Sequence, residues 1–198
     1  MDRLGAIGFE SKALATCGAA LGTVDEEVDA VARVSRLGPP PVLVAHGLGA
    51  FVAQKYLESY SACGLVLIAP FPPDPAGALS RLDKRSLLPR TGLAEKHWSN
   101  DIDLEPDPSA LISDASRAEQ ILTLEPAGHF LPVLVVSTEQ DPVVQRRDIS
   151  ALAAFHDLNG NDEVVRPGDK GHMTMADPSW ECPGGMSDEV VRWFSDKF

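Results

Sequence analysis

Two residues in the carboxyl-terminal half of the chain, Asp141 and His172, are of the types that form an acid–base pair. Asp141 follows the apolar run at 133–137, and His172 follows a shorter run at 163–166. A carboxylate at such a position could orient an imidazole and stabilise its protonated form. Taken singly, Asp141 could be a turn residue ahead of proline, and His172 an exposed loop histidine. Their occurrence after two successive predicted strands favours a dyad.

A third position with chemical meaning is the turn at 45–49, which has the sequence Ala-His-Gly-Leu-Gly after an apolar run. A sharp strand-to-helix turn of the pattern G-x-S-x-G presents a nucleophilic serine above a sheet, and small residues flank the serine because the turn is tight. Gly47 stands where that serine would be, and no Ser, Thr or Cys replaces it within the turn. The turn could also be an ordinary close connection between a strand and a helix. We predict that His46 and Leu48 line the floor of a pocket beside this lost nucleophile position.

Strands and helices are predicted to alternate along most of the chain. Apolar runs predict strands at 9–15, 42–45, 64–69, 133–137 and 163–166, and periodic patterns predict helices from 24 to just before Gly38, at 48–59, at 148–157 and from 187. The continuous run at 42–45 is typical of a strand that is buried on both faces. The alternation predicts an α/β fold with a mainly parallel sheet of about five strands and helices on both faces.

The proline-rich stretch between the runs at 64–69 and 133–137 has no strong strand pattern. A structureless loop of that length is unusual in a compact domain, so it predicts an inserted cap with short helices. We therefore divide the chain into an α/β core at 1–69 and 132–198 and a cap insertion at 70–131.

Composition narrows the possible functions. The chain has 198 residues, enough for one domain, and its net charge of −12 disfavours nucleic-acid binding. The 3 cysteines form no C-x-x-C pair, which favours a reducing, intracellular compartment: the cytoplasm, or an organelle such as a plastid or mitochondrion. No apolar run predicts a transmembrane segment, and the amino terminus has no signal-peptide core. The five histidines show no ligand spacing, so neither a metal nor an organic cofactor is implied.

Three stretches resemble a plant and algal branch of the α/β-hydrolase superfamily. They are GFESKAL at 8–14, PVLVAHGLG at 41–49 and GHMTMADPSW at 171–180. In such relatives the last stretch has the pattern A-H-x-M-M-x-D-x-x-W, followed by a terminal helix. The resemblance implies a degenerate, truncated hydrolase fold in which Asp141 and His172 are the inherited acid and base. With Gly47 in place of the nucleophilic serine, we expect this dyad to be vestigial.

The amino-terminal stretch departs from the family. The resemblance aligns 9–15 with the family's fourth strand, so the first three strands are expected to be absent. The third of them precedes a loop that supplies a backbone N–H to the oxyanion hole. Strand 9–15 would then pair directly with strand 42–45, or another segment would fill the gap. An unpaired edge is adhesive, so we expect protein partners there.

These observations favour a pseudoenzyme: a non-catalytic structural or accessory binding module, as a subunit of a larger protein assembly. The alternative is an enzyme, either a hydrolase of the serine-esterase type or a cofactor-independent enzyme that uses Asp141 and His172 as a general base. A third possibility is a receptor that binds a small molecule in the former active-site pocket between the cap and the sheet.

Overall fold

The computed structural model describes residues 3–14, 24–36, 38–73, 131–137, 139, 141, 143–156, 163–165, 174–176, 180 and 184–198. In these residues the strands are β1 (Val42–His46), β2 (Gly64–Ile68), β3 (Val133–Val136) and β4 (Glu163–Val165). The α-helices are α1 (Val24–Ser35), α2 (Leu48–Leu57), α3 (Arg146–Phe155) and α4 (Met186–Lys197). Short 3₁₀ helices lie at Gly5–Ile7 and Thr174–Ala176.

The four strands form one parallel sheet in the order β1-β2-β3-β4. Each strand therefore lies beside its neighbour along the chain, and all four carboxyl ends lie at the same edge. Every residue of β2 and β3 is buried, as expected for inner strands of a parallel sheet. The structure confirms the predicted α/β class and the predicted strands other than the first.

Helices cover both faces of this sheet, as the alternation predicted. On one face, α1, α2 and α3 pack against Leu65, Leu67, Val133 and Val135. On the other, α4 packs against Val66, Ile68, Leu134 and Val136 through Val190, Trp193 and Phe194. Because successive side chains of a strand point to opposite faces, one apolar strand contributes to two separate cores.

Local sequence accounts for the helix ends. In α1 the apolar side chains at i, i+4 and i+7 (Val24, Val28 and Val31) are all buried, which gives one continuous packing face. The α3 helix begins with a capping box in which the Gln145 N–H donates to Asp148 Oδ2 at 2.7 Å. The helix predicted at 148–157 therefore begins at Arg146, and that predicted from 187 begins at Met186.

The strand predicted at 9–15 is wrong for the described residues 9–14, which form no strand. Residues 10–14 are exposed, and Lys12 pairs with Glu10 at 3.3 Å. This stretch has too few large apolar side chains to be buried in a sheet. Phe9 instead packs edge-to-face on Phe194 of α4, with ring centroids 5.0 Å apart.

The prediction that the run at 42–45 is buried on both faces is also wrong. No strand of the described residues pairs with the outer side of β1, so residues 9–14 do not form the predicted pairing there. That another segment fills this gap remains a prediction. Its side chains are half-buried, and Val44 is 43% exposed. Val44 is exposed although the strand is apolar, and among the described strands β1 has a neighbour on one side only.

The predicted cap at 70–131 remains a prediction, since residues 74–130 lie outside the described ones. Among the helices of the described ranges, none is long and apolar enough to cross a bilayer.

Candidate functional site

Gly47 connects β1 to α2 by itself, since β1 ends at His46 and α2 begins at Leu48. Its backbone has φ 55° and ψ −123°. This combination lies outside the ordinary left-handed helical region and is strained for any residue with a Cβ. The connection is therefore the sharp strand-to-helix turn that the sequence pattern predicted, in a conformation that glycine adopts without the strain that a Cβ would cause.

Backbone hydrogen bonds hold this turn against the end of β2. The Gly47 N–H donates to the Ile68 carbonyl at 3.0 Å. The Gly47 carbonyl accepts from the N–H of Ala50 at 3.1 Å and from that of Phe71 at 3.3 Å. Both backbone groups of the buried Gly47 are thus satisfied, so the turn is fixed on its helix side and on its strand side.

A residue with a strained backbone lies beside Gly47. Ala69, the residue after β2, has φ 43° and is buried, and its N–H donates to the Val136 carbonyl at 2.8 Å. His46 and Ile68 are register partners, so the positive-φ residues that follow them are neighbours at the carboxyl edge. Strained backbone persists where the surrounding structure fixes it, and it is concentrated at functional sites. Sequence reasoning missed Ala69, because alanine carries no signal for positive φ.

Asp141 lies in the segment between β3 and α3 and is buried. Its Oδ1 accepts from the N–H groups of Val143 at 2.7 Å and Val144 at 2.8 Å. These bonds give Asp141 a structural role as a turn-forming carboxylate, which is one of the two predicted readings. They also hold the carboxylate in one orientation at the carboxyl edge, as an acid that orients a histidine requires.

The sheet order sets the distance between the predicted site residues. Gly47 follows β1 and Asp141 follows β3, and β2 lies between these two strands. The carboxyl ends of β1 and β3 are therefore about 10 Å apart, which is twice the distance between neighbouring strands. A third group would have to bridge this gap. His172, which follows β4 in the sequence, is the predicted bridge, but it lies outside the described residues.

His46 and Leu48 flank the turn, and their predicted role in a pocket floor remains a prediction. His46 is half-buried and is the register partner of Ile68, so strand alternation places it on the face that α4 covers. Leu48 is the first residue of α2.

No group of three or more His, Cys, Asp or Glu side chains in the described part of the chain is arranged to hold a metal ion. The free Cys63 is exposed, and its Sγ donates to the Pro40 carbonyl at 3.0 Å, away from the carboxyl edge.

The chain matches a model of the alpha/beta hydrolase family over residues 1–181. A comparison with curated protein sequences gave no match. The sequence signature thus extends across the turn at Gly47, the Asp141 segment and the position of His172.

Solved hydrolase structures are similar to this chain in fold. A monoacylglycerol lipase of Paleococcus ferrophilus superposes with a TM-score of 0.62 at 16% identity, over 93% of this chain and 82% of the lipase. An esterase of Thermogutta terrifontis gives 0.57 at 20% identity, over 96% and 77%. The type II thioesterase BorB from the borrelidin biosynthetic cluster gives 0.56 at 18% identity, over 89% and 71%. With the family match over most of its length, and with a sharp turn at Gly47 between strand and helix, the chain belongs to the α/β-hydrolase family.

Proposed function

We propose that this chain is a non-catalytic α/β-hydrolase that acts as an accessory binding module in a larger protein assembly. The observation that carries the proposal is Gly47, which occupies the nucleophile position in a turn with φ 55° and ψ −123°. The turn keeps the geometry that would present a nucleophile, while the residue has no side chain to supply one. Loss of a triad serine lowers turnover by about 10⁶-fold.

Neighbouring residues in the turn give no substitute. The sequence from Ala45 to Ala50 contains no hydroxyl or thiol. Of the acid–base pair, Asp141 uses Oδ1 to form its own turn with Val143 and Val144, a role that would preserve this aspartate without any catalysis. A retained acid is therefore weak support for a retained reaction.

The outer edge of β1 supports the accessory role. In the described ranges no strand pairs with it, and its residues are Val-Leu-Val-Ala-His, without proline or a charged lysine or glutamate. Edge strands that are not meant to pair usually carry such residues to prevent it. A partner could add a strand to this edge, with main-chain hydrogen bonds supplying affinity and the exposed Val44 supplying apolar contact.

The alternative function is that of a hydrolase, or of an enzyme that uses Asp141 and His172 as a general base. The buried Asp141 carboxylate, held by two backbone N–H groups after β3, favours it. The names of the structural neighbours, which include a lipase, an esterase and a thioesterase, point to the ester-type class.

Hydrolysis of p-nitrophenyl esters of graded chain length tests the two functions against each other. The wild-type chain is expected to match the uncatalysed rate. Asp141→Asn is the matched control, because asparagine keeps an oxygen that can accept from Val143 and Val144 while removing the carboxylate charge. Wild-type turnover that Asp141→Asn abolishes would reject the non-catalytic proposal in favour of the enzyme.

Gly47→Ser extends this assay. Turnover by that variant would mean that the acid, the base and the pocket persist and that only the nucleophile was lost. If it has no turnover while remaining folded, the loss extends to other parts of the site, such as the oxyanion hole.

The accessory role is tested by isolating the chain at native abundance and measuring its mass in solution. Migration as part of a larger complex is expected. A free monomer at the 21.2 kDa of the chain would overturn the assembly proposal.

A further inference from the structure

Gln54 is a polar residue in the middle of the apolar core beneath α2. It is 3% exposed, and Ala53 and Tyr56 of the same helix are buried apolar residues. Burying an amide is unfavourable unless its hydrogen bonds are made inside the protein. An apolar side chain of similar size would fill this space without that requirement, so the bonds that Gln54 makes are informative.

The side chain of Gln54 joins three segments. Its Nε2 donates to the Ala50 carbonyl at 3.0 Å, within α2, and to the Phe71 carbonyl at 3.3 Å, beyond β2. Its Oε1 lies 3.0 Å from Nε2 of His156, the residue that caps the carboxyl end of α3. We call this set of contacts the Gln54–His156 bridge.

The two carbonyl partners fix the chemistry of the bridge. A carbonyl oxygen can only accept, so the amide atom that faces two of them must be the NH₂ group. The amide oxygen therefore faces His156, and the imidazole must donate to it. His156 consequently carries a proton on Nε2 in its neutral form.

The bridge connects the two turns of the candidate site, one at Gly47 and the other at Asp141. Phe71 is held on both sides, since its N–H donates to the Gly47 carbonyl at 3.3 Å and its carbonyl accepts from Gln54. The α3 helix begins two residues after the Val144 N–H that Asp141 binds, and it ends at His156. The buried amide of Gln54 thus joins Phe71, which is bonded to the Gly47 turn, to the α3 helix, which follows the Asp141 turn.

We infer that Gln54 is a positioning residue, which with His156 holds the Gly47 turn in its positive-φ conformation and fixes it relative to the Asp141 turn. This role is independent of whether the site binds a ligand, pairs with a partner or catalyses a reaction. It therefore stands or falls separately from the proposed function.

Amide hydrogen exchange of the full-length chain, measured residue by residue by NMR, tests the inference. Gln54→Leu removes all three bonds at nearly constant volume. We expect the exchange of the Gly47 and Phe71 N–H groups to accelerate by about tenfold relative to that of Val135 in β3. In the variant, local opening of the turn no longer has to break the hydrogen bonds of Gln54, so it costs less free energy. A merely structural role would accelerate all three amides by the same factor.

Two further variants separate the bonds of the bridge. Gln54→Glu keeps an oxygen for His156 but cannot donate to both carbonyls, so Phe71 exchange should rise while His156 keeps its Nε2 proton. His156→Ala removes the other end, and its effect at Phe71 should be smaller than that of Gln54→Leu. Either variant tests the inference if Gln54→Leu does not fold.

The ¹⁵N resonances of the His156 ring give a signature that packing alone would not produce. In the wild type at neutral charge, Nε2 should be protonated and Nδ1 should not. An Nδ1-protonated ring, an equal acceleration at Gly47, Phe71 and Val135, or unchanged Phe71 exchange in Gln54→Leu and Gln54→Glu would each overturn the inference.

Discussion

Strands β1 and β2 have similar sequences and different environments. Val44 and Val66 are register partners on the same face of the sheet, yet Val44 is 43% exposed and Val66 is 0% exposed. β2 has β1 and β3 on its two sides and α4 above Val66, whereas among the described strands β1 has a neighbour on one side only. Position in the sheet, not hydrophobicity, therefore separates the buried strand from the surface that we propose for a partner.

The two strands also end differently. Each is followed by a buried residue with positive φ, which is Gly47 after β1 and Ala69 after β2. Glycine adopts such a conformation without steric penalty, while alanine does not. The backbone is thus unstrained at Gly47, where the family pattern has a nucleophile, and strained at the neighbouring Ala69.

The largest expected effect is at the centre of the sheet. Val66→Ala removes two methyl groups from a fully packed site, which should lower the free energy of unfolding by about 3 kcal/mol from lost burial and the cavity left behind. Val44→Ala, its register partner, should lower it by less than about 0.5 kcal/mol. Urea denaturation of both variants measures this difference.

Equal losses in the two variants would mean that Val44 is as well packed as Val66. In that case β1 would not present a free apolar edge, and the proposed partner surface would lose its support.

Sequence alone predicted β1 to β4 and the four α-helices of the described residues, because runs of apolar residues and helical periodicity report local burial directly. It failed at 9–15 and at the burial of 42–45. The two errors have different causes. Residues 9–14 have too few large apolar side chains to be buried in a sheet, whereas the burial of 42–45 depends on which strand lies beside it, which an apolar pattern does not indicate. Phe9 packs against Phe194 of α4 and not against a strand.

The second prediction concerns the turn at Gly47, where a Cβ would introduce strain. Gly47→Ala should lower the free energy of unfolding by about 2 kcal/mol, because φ 55° with ψ −123° is unfavourable for a residue with a Cβ. Gly8→Ala is the matched control: Gly8 has φ 93° and ψ 7°, and a Cβ there would meet nothing within 4 Å. Its loss should be about 1 kcal/mol. A loss at Gly47 no larger than that at Gly8 would show that the turn relaxes and stores no extra strain.

Of the candidate site, the sequence predicted the strand-to-helix turn at Gly47 and a carboxylate after β3, since glycine spacing and an aspartate after an apolar run are visible in a single chain. The role of Asp141 as an acid remains a prediction. It gave no signal for Ala69 or for Gln54. A glutamine in a helix resembles any surface polar residue, and its burial depends on Phe71 and His156, which are distant in sequence.

A smaller effect is expected at the end of β2. Ala69→Gly relieves the strain of φ 43° but increases the freedom of the unfolded chain, so the two contributions oppose each other. We expect a net gain of at most about 1 kcal/mol in the free energy of unfolding, measured by thermal and urea denaturation. A loss of more than that would mean that the Ala69 methyl group is needed for packing at the carboxyl edge.

The last prediction concerns Val44→Lys, which should change the free energy of unfolding least and the proposed assembly most. Val44→Lys places a charge on the exposed residue of β1, where water can solvate it, so the free energy of unfolding should change by less than about 0.5 kcal/mol. If a partner pairs with this edge, the same lysine should dissociate the complex, because a charged side chain blocks edge-to-edge pairing. Lys12→Glu, on the exposed stretch at 10–14, is a surface-charge control that should leave the complex intact. Sizing of the natively expressed variants distinguishes the outcomes, and a complex that survives Val44→Lys would place the partner elsewhere on the molecule.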